Sequence, residues 1–408
     1  MAKKKSKGRF EFSKIGKIVS GISEKTGILV EDSSNVIEKE FIGTGIYVLN
    51  ALFSKSILNG GIQNNRITAI AGPSGVGKSF LCYNICREAQ KDGYSIIYID
   101  TEFSIELEDM ENYGIDIDPE KLQLVRSNSV EDLKIMLTQL LGQLKEEKLA
   151  GYDIDKFLIV IDSAGQLASR KEIEDAKAGK EKADMTRAKA MKSLFRIVNS
   201  DLGFLKVPML VTNHTYLSMD LFPRPIMSGG TGLIYSASTI IMLSKAKYKT
   251  GEEDADLGIG QSGVLVTAKA DKNRLAKPAK IKFTIDFTKG CNPYDYLEFF
   301  CTPENFEKVG IAKGKMEVDK ETGEMTFKPG GTRWYIRHLN KSVFSKQLNT
   351  PQVFTEEVLL ALEPLIYKHF EYSSLDEMQE TEEEFIKSQT DEYSDVDIDD
   401  VDGTELFS

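Results

Sequence analysis

Arg66-Ile67-Thr68-Ala69-Ile70-Ala71-Gly72-Pro73-Ser74-Gly75-Val76-Gly77-Lys78-Ser79-Phe80 is the stretch on which the fold turns. Residues 66–71 read as a strand, and residues 78–91 carry a helical pattern closed by Gly93. Between them, Gly72 to Ser79 satisfies G-x-x-x-x-G-K-[ST] in full. Phosphate binding asks for that arrangement. Glycines let the backbone wrap an anion, successive N–H groups turn inward, and the helix N-terminus adds positive potential. Lys78 is then expected to bridge the β- and γ-phosphates of a nucleotide, and Ser79 to coordinate Mg2+. Gly72, Pro73, Ser74, Gly75, Val76, Gly77 and Phe80 complete the expected cradle.

Working outward, residues 95–100, 157–162, 207–212 and 238–243 read as strands, and 130–147 and 183–199 as helices. Strands that are apolar throughout and separated by helices predict an α/β fold with a mostly parallel sheet covered on both faces. Runs at 263–270 and 280–287 look like hairpin strands, added antiparallel at one edge. A short helix is expected at 19–26. Residues 290–370 read as a smaller α+β region around Trp334-Tyr335.

Three strand ends carry polar groups suited to nucleotide chemistry, because ligands in open sheets sit over the carboxyl ends of the strands. Asp162 closes an apolar run and would hold Mg2+ through a water. Alone, a strand ending in Asp-Ser is more often a turn or a helix cap. Asp100-Thr101-Glu102 ends the strand after the phosphate-loop helix, and Glu102 is the candidate to deprotonate an attacking water. An ordinary loop acid is the plainer reading of it. Thr212-Asn213-His214 ends a further strand, where a polar pair could sense the γ-phosphate.

Composition narrows the class. The 408 residues include no apolar run of about 18, so no membrane span is expected. The Lys-rich start at 1–9 has no apolar segment behind it and does not read as a secretory signal. Cys82, Cys86, Cys291 and Cys301 fit a reduced, cytoplasmic protein, with packing the expected role of the first two. The net charge of −11 divides unevenly. Fifteen Asp/Glu and one Lys fall from Glu371 onward, so 52 bases against 63 acids become 51 against 48 without that tail. A mildly basic body with an acidic, disordered tail is expected. The tail either competes for a polyanion-binding surface or only solubilises the chain.

Two polar segments follow the strands at 157–162 and 207–212. Residues 170–187 carry Arg170, Lys171, Lys177, Lys180, Lys182 and Arg187, and read as a basic loop without packed structure. Residues 216–227 carry Met219, Phe222 and Arg224 and run into Ser228-Gly229-Gly230-Thr231-Gly232. Bases, aromatics and glycines on loops suit a nucleic-acid backbone with splayed bases. Spacing alone equally allows two solvated surface loops.

Ile161-Asp162-Ser163-Ala164-Gly165-Gln166-Leu167-Ala168-Ser169, the run from Asp184-Met185-Thr186-Arg187-Ala188-Lys189 to Arg196, Thr212-Asn213-His214-Thr215-Tyr216, and Gly229-Gly230-Thr231-Gly232 before Tyr235-Ser236-Ala237 occur in order. With the phosphate loop, they make the chain resemble the RecA family of recombinases, most closely the UvsX-type recombinases of T4-like bacteriophages. The resemblance covers about residues 43–335.

The resemblance implies a RecA-type P-loop ATPase core at 46–288, behind an N-terminal arm and oligomerisation segment at 1–45. A C-terminal region follows at 289–370 and an acidic tail at 371–408. It implies an ATP- and Mg2+-dependent enzyme that forms a helical filament on single-stranded DNA, pairs it with duplex DNA and exchanges strands. A single-strand-binding protein and a recombination mediator are the implied partners. Glu102 resembles the catalytic glutamate. His214 resembles the switch between γ-phosphate and DNA. Residues 170–187 and 213–235 resemble the two DNA-binding loops, which makes Arg170, Lys171, Arg187, Phe222, Arg224, Gly229, Gly230 and Thr231, with Lys189 just past the first, the implied DNA-binding residues. Lys272 and Arg274 resemble a pair that reaches a neighbour's ATP. The chain departs from the pattern at Asp109, where relatives place an adenine-stacking aromatic, leaving Glu106 or Tyr113 as substitutes. Loop 170–187 is also longer and richer in Lys than in bacterial relatives. Rival expectations are a ring-forming helicase on the same core and a nucleotide-regulated DNA filament without productive hydrolysis.

Overall fold

The structure is a computed structural model describing residues 40–179, 186–219, 221–248, 263–320 and 323–373. The arm at 1–9, the helix expected at 19–26, Lys180, Lys182, the start of the helix expected at 183 and the tail beyond 373 lie outside the described residues. In chain order the strands are β1 (Phe41–Ile42), β2 (Ile62–Gln63), β3 (Ile67–Gly72), β4 (Ser95–Asp100), β5 (Leu122–Arg126), β6 (Phe157–Asp162), β7 (Met209–Leu217), β8 (Pro225–Met227), β9 (Thr239–Tyr248), β10 (Gly263–Asn273), β11 (Lys280–Asp286), β12 (Gly290–Cys291), β13 (Ile311–Val318), β14 (Met325–Ile336) and β15 (Lys341–Val343). The helices are α1 (Tyr47–Ser54), α2 (Lys78–Lys91), α3 (Leu107–Asn112), α4 (Val130–Leu149), α5 (Arg170–Lys177), α6 (Thr186–Leu205), α7 (Gly232–Ser236), α8 (Phe306–Val309) and α9 (Glu356–Phe370).

The central sheet runs β12-β11-β10-β9-β3-β7-β6-β4-β5, with β8 attached to β7. From β9 to β5 every neighbour is parallel. β10 and β11 add antiparallel strands at one edge, as the hairpin-like runs lead one to expect, and the short β12 pairs beyond them. Strand side chains alternate between faces, and both faces are buried. Ile70, Tyr98, Val160 and Leu210 face Leu49 of α1 and Leu81, Cys82 and Ile85 of α2. Ala69, Ile99, Ile161 and Val211 face Leu133 and Leu137 of α4 and Leu194 and Phe195 of α6. That double burial explains strands without a polar face. Burial also pushes the Cys82 and Cys86 thiols up, so both act as packing groups.

Phe195 is 0% exposed at the centre of the α4–α6 face. Phe195→Ala is expected to cost about 3–5 kcal/mol, read as a shifted denaturation midpoint with an unchanged slope. A shift worth less than about 1 kcal/mol would mean that this face repacks.

Several elements differ from expectation. β5 is an additional edge strand; its alternating Leu122-Gln123-Leu124-Val125-Arg126 is too short and polar to stand out. β7 continues to Leu217, five residues past its expected end, because Thr215, Tyr216 and Leu217 pair with β8. Residues 170–177 of the expected basic loop form α5 instead. Ser169 and Glu172 close a capping box around its N-terminus, and none of its residues is buried. Capping and solvation, rather than core packing, hold that helix. The C-terminal region carries its own sheet, β13-β14-β15, yet Trp334, Ile336, Leu362 and Ile366 share one continuous core with α1 and α2.

Candidate active site

Two registers assemble the site. Gly72 of β3 lies beside His214 of β7, and Asp100 of β4 beside Asp162 of β6. Four strand ends thus converge where α2 begins. Gly77 has φ 95°, a left-handed conformation that strains any residue with a side chain, so glycine is the favoured residue entering α2. Lys78, 7% exposed, donates from Nζ to the carbonyls of Gly72 and Pro73, both at 3.0 Å, and lies 3.4 Å from His214 Nδ1. An ammonium has no lone pair, so Nδ1 accepts and Nε2 keeps the proton. Nε2 then donates to Glu102 Oε1 at 3.0 Å. A chain of contacts runs from the phosphate lysine through His214 to the candidate base.

Burial lowers the Lys78 pKa, against the opposing charges of Asp162 and Glu102. Phosphate binding uses the charged form. Nucleotide affinity should therefore fall with rising pH before the ordinary lysine range near about 10.4 is reached. A calorimetric titration at stepped pH reads this directly, and a flat profile up to that range contradicts it.

Glu102 is held by residues to which the motifs assign no role. The Thr101 hydroxyl donates to Ser163 O at 2.7 Å and accepts from Ser163 N at 2.8 Å. Ser163 Oγ in turn donates to Glu102 Oε1 at 3.1 Å. Desolvation, the largest single influence on Glu102, pushes its pKa up. The hydrogen bonds from His214 and Ser163, with the charge of Lys78, together carry it below the ordinary value. The carboxylate is therefore ionised, as a base must be before it takes a proton.

Asp162 accepts from Tyr98 OH at 2.8 Å and from the Thr212 hydroxyl. Each oxygen keeps lone-pair capacity. With the exposed Ser79 hydroxyl on the first turn of α2, it offers the hard oxygen donors that Mg2+ takes beside phosphate oxygens and water. Tyr98 could have been suspected from sequence, since a tyrosine in an otherwise apolar strand needs a partner for its hydroxyl. Asp109 is exposed on α3. Tyr113 lies edge-on to Phe80 at 5.3 Å and tilted against Tyr83 at 5.1 Å, beside the phosphate loop. Glu106 lies 3.7 Å from Arg126 instead.

Beyond His214, β7 leaves the sheet and pairs with β8, making a hairpin with Met219, Leu221 and Phe222 exposed near its tip. Arg224 N donates to Ser218 Oγ at 2.9 Å and closes that tip. Asn213 Oδ1 accepts from Ser228 Oγ at 2.7 Å, and Asn213 Nδ2 donates to Ser228 O at 2.9 Å. The returning end of the hairpin is thereby clamped to the strand that carries His214. Arg187 donates to Leu167 O at 2.5 Å and to Gly165 O. It lies beside Gly229, and Gly230 packs near Ala188, so the bases of both segments meet on α6. Thr231 precedes α7 at the same base, and Lys189 is exposed on α6. Arg170 and Lys171 sit apart on α5, where Arg170 pairs with Asp132.

Lys272 and Arg274 do not join this site. Lys272 and Asn273 pair with Ile240 and Thr239 at the start of β9, and Thr239 pairs with Thr68 near the start of β3. They therefore lie toward the opposite end of the sheet from the phosphate loop, about 10–16 Å below Gly72 along the strands at ordinary strand rise. Lys272 Nζ donates to the carbonyls of Ile234 at 2.7 Å and Tyr235 at 3.3 Å on α7.

The comparisons agree with this architecture. The RecA N-terminal domain family matches residues 17–292. A "Recombination and repair protein" of Enterobacteria phage T4 is 32% identical over 333 residues, covering 79% of this chain and 78% of that protein. A "Mitochondrial DNA repair protein recA homolog" of Dictyostelium discoideum is 25% identical, covering 84% and 69%. A "Protein RecA" of Mesoplasma florum is 26% identical, covering 72% and 85%. With the family match spanning the sheet and all four converging strand ends, the chain belongs to the RecA family.

Proposed function

We propose that this chain is an ATP-dependent DNA recombinase acting in recombination and repair, which forms a helical filament on single-stranded DNA and exchanges strands with homologous duplex. Its similarity to recombination and repair proteins supports that reading. One structural observation carries it furthest. β7 runs without interruption from the nucleotide site, at His214, into the exposed hairpin that Ser228 and Asn213 clamp. A single strand therefore connects the γ-phosphate position to a surface suited to bases.

In this scheme the loop 72–79 and Lys78 bind ATP. Glu102 accepts a proton from the attacking water, and His214 relays the presence of the γ-phosphate to the hairpin. Ser79 and, through water, Asp162 would hold Mg2+, which when bound would neutralise charge at the phosphates. Arg187, Lys189, Phe222, Arg224, Gly229, Gly230 and Thr231 engage DNA, with Arg170 and Lys171 on the flanking α5. Lys272 and Arg274 complete the site of a neighbouring subunit, so the interface is the catalytic unit. The chain divides into an arm and oligomerisation segment at 1–45, the core at 46–288, a C-terminal region at 289–370 and an acidic tail at 371–408. Its place is the cytoplasm, that of the host cell for a phage protein, with single-strand-binding and mediator proteins as partners. Among the described residues no helix is long and apolar enough to cross a membrane.

ATP turnover measured with and without single-stranded DNA tests the reading. Strong stimulation by DNA, lost at high salt as phosphate contacts are screened, is expected. Turnover indifferent to DNA would favour a nucleotide-regulated filament without productive hydrolysis.

A further inference from the structure

Four successive carbonyls of the phosphate loop are held by two ammonium groups. Lys78 takes those of Gly72 and Pro73. Lys245, near the end of β9, takes the next two, donating from Nζ to Ser74 O at 2.7 Å and Gly75 O at 3.1 Å. No motif marks Lys245. The sheet places it: Ala71, the residue before the loop, pairs with Met242 of β9. Leu243 packs under Gly72, whose Cβ would lie 3.0 Å from Leu243 Cβ. Two residues on, on the same side of the strand, Lys245 meets the outside of the loop. A Cβ at Gly75, where φ is 65°, would stand 3.0 Å from its Nζ.

A peptide unit is planar and trans, so a carbonyl held on one side turns the next residue's N–H to the other. Lys245 therefore orients the N–H groups of Gly75 and Val76 away from itself, and its charge polarises both as donors. We propose that Lys245 is a positioning residue for nucleotide binding, which holds the anion-binding side of the loop in its receptive form and adds positive potential beside the phosphates. This rests on the reading of loop 72–79 as an ATP site. The two lysines then divide the work. Lys78 must leave the loop carbonyls to reach a phosphate, whereas Lys245 belongs to another strand and keeps its hold. Its proximity also contributes to lowering the Lys78 pKa, after burial, which is consistent with two cations serving one anion.

The test uses the full-length chain without DNA, titrated with ATP and ADP by calorimetry, beside steady-state ATP turnover on single-stranded DNA. Lys245→Ala is expected to weaken ATP affinity about tenfold or more, the scale of losing charge-assisted hydrogen bonds. Turnover at saturating ATP should stay within about twofold, because Glu102 and Lys78 are untouched. Lys245→Arg should restore affinity to within about threefold of the parent, since a guanidinium reaches the same carbonyls. Lys245→Glu should bind more weakly than Lys245→Ala. Parent-like affinity in Lys245→Ala, or equal losses in the Ala and Arg variants, overturns the proposal. A parent chain that binds neither nucleotide overturns the ATP-site reading itself. A thermal melt of each variant separates lost binding from lost folding.

Discussion

Glu102→Gln is expected to lower ATP turnover by about 10²- to 10⁴-fold, the range assigned to a positioned general base, with nucleotide affinity nearly unchanged. The amide preserves size and can still accept from Ser163 and His214, whose contacts at 3.1 and 3.0 Å define the present pose. It cannot take a proton. Binding of the nucleotide depends on the loop 72–79 and Lys78, which the substitution leaves in place. Turnover measured with saturating DNA, beside calorimetric ATP binding, separates the two quantities. Turnover within about tenfold of the parent would remove Glu102 from the role of base. A matching loss of affinity would instead mean that the carboxylate organises the loop through His214 and Lys78. The lowered pKa of Glu102 adds a pH arm. Activity should persist to a pH below the ordinary glutamate range near about 4.3, provided the fold survives, because the base stays ionised there.

The second large effect concerns the proposed division of the site between subunits. Lys272→Ala combined with Arg274→Ala is expected to lower turnover by about 10³-fold or more, the scale of a cationic finger supplied in trans. ATP affinity of the isolated chain should be unaffected, because both residues lie at the far end of the sheet from their own phosphate loop. Lys78→Ala should be equally inactive for the opposite reason. Mixed together, the two inactive chains should regain turnover. In an equimolar random head-to-tail assembly about one interface in four joins an intact loop to an intact Lys272–Arg274 pair. No recovery on mixing, with both variants shown to assemble together, would place the pair outside catalysis. Lys272 then has only its structural role, donating to Ile234 and Tyr235 at the end of α7. If the trans reading holds, those bonds acquire a second meaning. Drawing Lys272 onto a neighbour's phosphate would release carbonyls on α7, which follows the glycine-rich end of the β7–β8 hairpin.

Local patterns were legible where one rule decides them. The strand before the phosphate loop, α2 and the antiparallel edge at β10 and β11 follow from apolar runs and turn residues read along the chain. What the sequence hides is lateral. The placement of β7 and β6 between β3 and β4 is a crossover, and it alone brings His214 between Lys78 and Glu102. No spacing along the chain encodes that a residue at 214 will stand beside one at 78. The Thr101–Ser163 pair that holds Glu102 joins two strand ends 62 positions apart. Lys245 was invisible for the same reason, being an ordinary exposed base until the register of β9 on β3 is known. α5 was missed on different grounds. Its sequence buries nothing, so the apolar period that announces most helices is missing, and only the Ser169–Glu172 cap signals it.

Homologous strand exchange driven by this ATP site is tested most directly by joint-molecule formation, with single-stranded DNA presented to homologous or heterologous duplex, with and without ATP. Joint molecules only with homologous duplex and only with ATP are the predicted result. Directional unwinding of a forked duplex without any homologous strand would point to a ring-forming helicase. That outcome, or joint molecules formed equally with heterologous duplex, contradicts the account.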